Sequence, residues 1–246
     1  MRSRFFGLIL LLVLTGCQAA LPVATEPPTP QVLALSIATS LDWMRPALAD
    51  CAVQHGLALA EVRPGDELSA QVSLRWGDPQ PQPGYWTELG REEWALVVSA
   101  NNPLRRIERA DVPLLLSGQI TQWGELLSAC SDCMPDMGLA RQPLHVFGYG
   151  EESDAFPVWA SGVLKDGMGA FAGLPDAATM YATVAGDPAA LGFLPAHWVD
   201  ERVRRVEWDG PSPIAVLAWT AEEPQGAVRD WLACVQRSAF PTASQP

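Results

Sequence analysis

The sequence predicts an α/β protein with mixed, mostly parallel sheets. Short apolar segments alternate along the chain with longer stretches in which apolar residues recur every three or four positions. Segments of the first kind are typical of buried strands, and stretches of the second kind are typical of amphipathic helices. Strands that alternate with helices favour parallel pairs joined by helical crossovers, which define this fold class.

The first such unit spans residues 33–62. Residues 33–37 (LALSI) predict a buried strand, and the helix after it begins near Thr39 and Ser40, which are favoured N-cap residue types. The apolar positions of this helix recur on one face, so Cys51 is expected to point inward. Residues 57–62 (LALAEV) predict the second strand of the unit.

Later segments repeat the two patterns. Residues 71–77 alternate between apolar and polar types, whereas residues 94–98 (WALVV) are continuously apolar, as in a strand buried on both faces. Further strands are predicted at residues 142–147, 190–194, 203–208 and 214–219. Helices are predicted at residues 111–116, 123–127, 156–164, 176–185 and 226–240.

The N-terminal segment has the layout of a secretory signal. A basic start precedes an apolar run at residues 5–14, which is shorter than the roughly 20 residues that span a bilayer. The LTGC sequence that ends at Cys17 resembles a bacterial lipobox. Residues 1–16 are therefore predicted to be a signal peptide, Cys17 to be lipidated, and residues 17–31 to be a Pro-rich linker. An ordinary signal peptide with a chance cysteine is the alternative.

The charge of the chain excludes some partners. The sequence has 16 basic and 28 acidic residues and a formal net charge of −12. Such a surface is repelled by nucleic acid and by anionic lipid headgroups. No nucleic-acid partner is expected, and contact with a lipid bilayer is expected only through Cys17.

Four cysteines remain beside Cys17, namely Cys51, Cys130, Cys133 and Cys234. An even number in an exported chain favours disulfides, and four cysteines allow three connectivities. The CSDC sequence lies among Ser, Asp, Pro and Gly, which favours a structural bridge over redox chemistry or zinc binding. Because neither GxSxG, nor HExxH, nor a plausible Ser/His/Asp set occurs, no enzyme and no cofactor are expected. An envelope thiol-redox enzyme is a remote alternative.

Three loops, at residues 38–40, 75–78 and 148–154, follow the carboxyl ends of predicted strands, where α/β folds bind ligands. The third loop lies in the sequence GYGEESDAF, residues 148–156, and carries three acids in four positions. We expect a cleft between two lobes to bring the loops together. The candidate ligand-binding residues are Thr39, Ser40, Arg75, Trp76, Tyr149, Gly150, Glu151 and Ser153. Trp76 and Tyr149 suit either stacking on a ligand or packing in the core.

Several segments resemble phosphate-type substrate-binding proteins of ABC importers, in matching order. Residues 99–123 (SANNPLRRIERADVPLLLSGQITQW) are similar to a segment of that family containing IFSGKITNW. Weaker similarities lie at residues 36–48, 153–156 and 185–199. The resemblance implies a two-lobe type II periplasmic-binding-protein fold whose lobes are joined by two crossing strands. It places residues 32–97 and 195–246 in the first lobe and residues 98–194 in the second.

The resemblance also implies a function and a disulfide pairing. The chain would be an exported, lipid-anchored solute-binding protein outside the cytoplasm, with a small solute and an ABC permease as partners. Cys51 and Cys234 would lie on helices of one lobe and form one disulfide, which leaves Cys130 and Cys133 for the other. A ligand-sensing or interaction module without transport is the alternative function.

The third loop departs from the family pattern. Glu151 and Glu152 stand where the family has Gly, Ser and Thr, and Ser153 stands where an Arg is expected. Carboxylates would repel a bound dianion, so tight binding of inorganic phosphate is not expected. Three interpretations of the acids stay open: they cap a helix, they hold a cationic or hydroxylated solute, or they turn away from a retained anion site.

Overall fold

The computed structural model describes residues 30–63, 66–77, 84–129, 138–164 and 169–240. The signal peptide, most of the linker and the predicted sites at Cys17, Cys130 and Cys133 lie outside these residues. No helix in the described part of the chain is long and apolar enough to cross a membrane.

Strands and helices largely follow the predicted order. The strands are β1 (Gln31–Ile37), β2 (Leu57–Glu61), β3 (Val72–Trp76), β4 (Tyr85–Glu92), β5 (Trp94–Ser99), β6 (His145–Tyr149), β7 (Ala172–Leu174), β8 (Ala190–Pro195), β9 (Val203–Val206) and β10 (Ile214–Thr220). The helices are α1 (Arg45–Gln54), α2 (Asp111–Leu116), α3 (Trp123–Ala129), α4 (Phe156–Val163), α5 (Ala177–Gly186) and α6 (Gly226–Ala239). Short 3-10 helices lie at Thr39–Met44, Glu67–Ser69, Leu139–Arg141 and Ala196–Trp198.

Two five-stranded sheets share one plan. The first has the order β2-β1-β3-β10-β4 and the second the order β7-β6-β8-β5-β9. In each sheet two pairs of neighbouring strands are parallel and two are antiparallel, since the fourth strand in the order, β10 or β5, runs opposite to both of its neighbours. The mixed, mostly parallel α/β class is confirmed, because four of the five strands in each sheet run in one direction and a single strand, β10 or β5, runs against them.

The chain passes between the sheets twice, at Glu93 and through residues 207–213. The first sheet with its helices is lobe 1, and the second sheet with its helices is lobe 2. The predicted lobe boundaries at 97/98 and 194/195 need correction. All of β5 lies in lobe 2, and β9 stays there because it pairs with β5, where Val206 lies opposite Leu96. Lobe 1 resumes only at β10.

Each lobe has its own apolar core. In lobe 1, helices α1 and α6 pack together, and the predicted disulfide joins Cys51 to Cys234 with a Cα–Cα distance of 5.8 Å. Trp231 of α6 donates its indole N–H to the Leu48 carbonyl of α1 at 3.1 Å. In lobe 2 every residue of β5 and β8 is buried, as continuous apolar runs predict.

Differences from the prediction concern three strands. The expected strand at residues 142–147 lies two to three residues later, as β6, so that Tyr149 ends the strand. The strands β4 and β7 were not predicted. Both are edge strands, and most of their residues are partly or fully exposed, so they lack the apolar signal of the central strands.

Candidate functional site

The three predicted loops meet between the lobes. Ser40, in the 3-10 helix after β1, donates its backbone N–H to Oδ2 of Asp154 at 3.1 Å. Trp76, the last residue of β3, donates its indole N–H to Oγ of Ser40 at 2.7 Å. Asp154 belongs to the loop after β6 in lobe 2, whereas Ser40 and Trp76 belong to lobe 1. The expected convergence of the loops therefore occurs.

A cavity of about 420 Å³, which we call the cleft, lies where these loops meet. The carboxyl ends of β1 and β3 and the segment after β2 form its wall in lobe 1, and Asp154 contributes from lobe 2. The charged residues that line it are Arg45, Glu61, Arg63, Arg75 and Asp154. Hydroxyl groups come from Ser36, Thr39 and Ser73. The cleft thus offers both cationic and anionic groups to a solute.

The three arginines of the cleft have different surroundings. Arg45 forms ion pairs with Asp42, at 2.8 Å, and with Glu61. Arg75 lies 6.0 Å from the centroid of the Trp219 ring, in a cation–π arrangement. Arg63 is exposed at the rim. Glu61, which ends β2, and Arg63, which follows it, were not predicted as site residues, because this part of the chain carries no distinctive motif.

A second cavity, of about 670 Å³, lies between lobe 1 and helix α4 of lobe 2. Arg75 lines both cavities. The remaining wall of the second cavity comes from β3, β4, β10, helix α4 and the second crossing; its lining includes Arg91, Val158, Ser161 and Ser212. Arg91 is held by a bidentate contact with Glu88, with both N–O distances at 2.9 Å.

The third loop uses its backbone donors internally. The N–H of Gly150 donates to Leu174 at 3.0 Å, that of Ser153 to Gly150 at 2.9 Å, and that of Phe156 to Ser153 at 3.0 Å. Ser153 is buried, and its hydroxyl accepts from the N–H of Ala155 at 3.3 Å. These donors are therefore not available to cradle an anion, unlike the glycine-rich turns that bind phosphate.

The acids of this loop have different positions. Glu151 and Glu152 are exposed, and Glu152 folds back so closely that a Cβ on Gly150 would lie 2.4 Å from its Oε1. Helix α4 has no side-chain hydrogen bond at its N-cap, Ala155. The interpretation that these acids cap the helix therefore rests on their attraction to the helix dipole and not on a side-chain hydrogen bond. Asp154 is also exposed, and its carboxylate contacts lobe 1 at Ser40.

Tyr149 lies in the core of lobe 2. It is fully buried, and its ring lies 5.2 Å from Trp94 and 6.0 Å from Trp159, measured between centroids. Burial raises the pKa of its phenol, and the charges of Asp176 and Asp154 raise it further. Its hydroxyl has no hydrogen-bond partner among the described residues. The structure therefore gives Tyr149 the packing role, one of the two roles that the sequence allowed.

Trp76 and its neighbour join the two lobes. The Trp76 ring is 94% buried and lies 5.9 Å from the ring of Trp94, at the start of β5. Gly77 turns the chain with a φ of +99°, a conformation that favours glycine, and a Cβ there would meet Val158 of α4 at 3.6 Å. Val158 itself packs against the core of lobe 1. Aromatic, apolar and hydrogen-bonded contacts thus hold the lobes together around the cleft.

Histidines and metal-ligand clusters contribute nothing to the cleft lining. His145 contacts Asp187 at 2.7 Å, and His197 contacts Glu92 at 3.2 Å and stacks 4.5 Å from Trp43. Within the described ranges, no group of three or more His, Cys, Asp or Glu residues is arranged to hold a metal ion. Thr39, a predicted site residue, is exposed and lines the cleft.

Comparison with solved structures identifies the fold. The chain is similar to a protein from Clostridium perfringens assigned as a phosphate ABC transporter substrate-binding protein, solved with bound phosphate. That match has a TM-score of 0.64 and 16% identity and covers 83% of this chain and 93% of the other. An ABC-type phosphate transport receptor from Vibrio cholerae matches with a TM-score of 0.60 and 15% identity, over 84% of this chain and 94% of the other.

Regulatory domains share the same architecture. The CcmR regulatory domain of Synechocystis PCC6803, in complex with 2-PG, matches with a TM-score of 0.58 and 10% identity, over 86% of this chain and 99% of the other. No family model matches the sequence. No curated protein matches it either. At these identities the comparisons establish a periplasmic-binding-protein-like fold, as the resemblance implied.

Proposed function

We propose that the chain is an exported, lipid-anchored solute-binding protein that holds a small polar solute in the cleft. The observation that carries this proposal is the convergence of three loops from both lobes on one cavity, with Asp154 of lobe 2 in contact with Ser40 of lobe 1. Crevices at the carboxyl ends of parallel strands are the usual ligand sites of α/β folds. Cys17 would carry the lipid.

The transport role is part of the same proposal. Two of the similar solved structures are described as a substrate-binding protein and a receptor of phosphate ABC transport. A lipid on Cys17 would keep such a protein close to the bilayer, where an ABC permease could receive the solute. The permease is therefore the proposed protein partner.

Inorganic phosphate is not the proposed solute. Two unit charges of the same sign 4 Å apart repel by about 4 kcal/mol near a protein surface, and a phosphate at the Ser40 N–H would face the Asp154 carboxylate. The third loop uses the N–H groups of Gly150, Ser153 and Phe156 internally. A solute that carries both hydrogen-bond donors and an acidic or carbonyl acceptor fits the mixture of arginines and carboxylates better.

Native mass spectrometry of the protein purified from its own host would test the proposal. We expect a non-covalent adduct of a few hundred daltons on the wild type, since the cleft is sized for a small solute. Arg75→Ala should lose most of the adduct, because Arg75 lines the cleft. Arg237→Ala is the matched control and should retain the adduct, because Arg237 is exposed on α6 and lies outside the cleft lining. An adduct equally abundant in both variants would contradict the site, and its absence from every preparation would contradict the function.

A ligand-sensing or interaction module is a second candidate. The observation in its favour is that contacts within the protein already join the lobes, at Ser40–Asp154 and Trp76–Trp94. Regulatory domains with the same fold also lie among the similar structures. Co-purification of the full-length protein from membranes after cross-linking would separate the two. Recovery of an ABC permease supports transport, and recovery of other envelope proteins alone supports the module.

A further inference from the structure

We infer that the carboxylate of Asp154 takes the place of a bound oxyanion in the cleft, because it accepts the hydrogen bond that such a ligand would otherwise accept from lobe 1. The site therefore rejects inorganic oxyanions. The inference rests on the proposed ligand site. It starts from one contact, in which Oδ2 of Asp154 lies 3.1 Å from the backbone nitrogen of Ser40. The two residues are 114 positions apart and come from different lobes.

The lobe 1 side of this contact is a group of donors. The Ser40 N–H points at a carboxylate, and the Ser40 hydroxyl oxygen accepts from Trp76 at 2.7 Å, which leaves the hydroxyl proton to donate elsewhere. Thr39 supplies a second, exposed hydroxyl beside it, and Arg75 supplies a guanidinium in the wall of the same cavity. Donors and a cation in this arrangement suit a tetrahedral oxyanion.

The lobe 2 side supplies a carboxylate in place of such a ligand. Asp154 lines the cleft, whereas Glu151 and Glu152 of the same loop are absent from its lining. An ionised carboxylate is a strong acceptor for a backbone N–H, and it repels a second anion at the same donors. Entry of phosphate or sulfate would require the Ser40–Asp154 bond to break and the two like charges to stay close.

The same contact fixes one lobe against the other. A solute oxyanion in a two-lobe protein joins the lobes by accepting from both, and here the carboxylate is covalently part of lobe 2 and accepts from lobe 1. The neighbouring contacts, Trp76 with Trp94 and Val158 with the lobe 1 core, keep the loops at this separation. Asp154 therefore determines which solutes bind and also holds the two lobes together. A solute that binds must fit beside its carboxylate or break its hydrogen bond to Ser40.

The experiment compares full-length wild type with Asp154→Ala and with Glu151→Ala, the exposed acid three positions earlier that is absent from the cleft lining. Two readouts are used: amide hydrogen exchange at Ser40, followed by NMR, and calorimetric titration with sodium phosphate and with sodium sulfate at fixed ionic strength. In Asp154→Ala we expect exchange at Ser40 to accelerate at least tenfold and the dissociation constant for phosphate or sulfate to fall at least tenfold. Glu151→Ala should match the wild type in both.

Several outcomes would overturn the inference. Unchanged exchange at Ser40 in Asp154→Ala would show that the bond does not persist in solution, and unchanged affinity for both oxyanions would show that Asp154 does not exclude them. An equal gain of affinity in Glu151→Ala would show a general charge effect. If Asp154→Ala does not fold, Asp154→Ser provides the same two readouts.

Failure of the inference and failure of the proposed function are distinguishable. The titration uses inorganic phosphate and sulfate as probes, so it does not depend on the identity of the natural solute. Tight phosphate binding by the wild type would overturn the role of Asp154 while solute binding stands. If the protein purified from its own host never carries a solute, the proposed function is contradicted. The role of Asp154 is then still decided by the oxyanion affinities of the variants.

Discussion

Removing the disulfide between α1 and α6 should destabilise lobe 1 strongly. Cys51 and Cys234 are 183 positions apart, so their bridge closes nearly the whole described chain into one loop. In the chain-entropy account, a loop of this length lowers the entropy of the unfolded state enough to stabilise the fold by about 5 kcal/mol. Both sulfur atoms also lie in the lobe 1 core, where Cys51 is fully buried. For a chain of this size we expect the melting temperature to fall by roughly 10–20 °C.

Urea unfolding of the full-length protein, followed by tryptophan fluorescence, would measure the effect. The Cys51→Ala, Cys234→Ala double variant is compared with the wild type under oxidising and reducing conditions. The Cys130→Ala, Cys133→Ala double variant is the control, because a bridge over so short a loop contributes only about 2 kcal/mol by the same relation. Reduction should shift the wild type towards the Cys51/Cys234 variant. Equal unfolding midpoints for oxidised wild type and that variant would refute the reasoning.

Three further predictions follow from the anchor, the cleft and the core. Radiolabelled palmitate should enter the wild type in a bacterial host but not Cys17→Ser, and equal labelling of both would contradict lipidation at this residue. About 1 mM phosphate should shift the melting temperature of the wild type by less than about 2 °C, whereas a site with a dissociation constant near 1 μM would stabilise the fold by about 4 kcal/mol and shift it by roughly 8–16 °C. Tyr149→Phe should raise the unfolding free energy at pH 7 by about 1 kcal/mol, because the buried hydroxyl has no partner among the described residues and its desolvation is not offset by a hydrogen bond. Since the pKa of Tyr149 is raised in the folded protein, its contribution is complete below the unfolded pKa near 10 and is lost as the pH rises further. Denaturation of both proteins from pH 8 to 11.5 should therefore show a steeper loss of stability for the wild type, and parallel curves would contradict the assignment.

The sequence by itself determined most helices and central strands. Helix α2 has the predicted bounds, and α6 buries the face that carries Trp231, Leu232 and Val235. Strands β5 and β8 were recognised because a strand covered on both faces has a continuous apolar sequence. Each of these patterns can be recognised from the residues of the element itself, because the buried positions of that element are apolar. The loops of the site were also predicted, because they follow strand ends.

Only the tertiary structure decided which elements pair and what each site residue contacts. The place of β9 in lobe 2 depends on its pairing with β5, about a hundred residues earlier, and no local pattern records such a pairing. Tyr149 became a core residue because β6 runs two positions further than predicted, into the aromatic cluster of lobe 2. The partner of Asp154 lies on another lobe at Ser40. Periodicity reports how much of a residue is buried, whereas the identity of the neighbouring atoms is set by how distant segments pack.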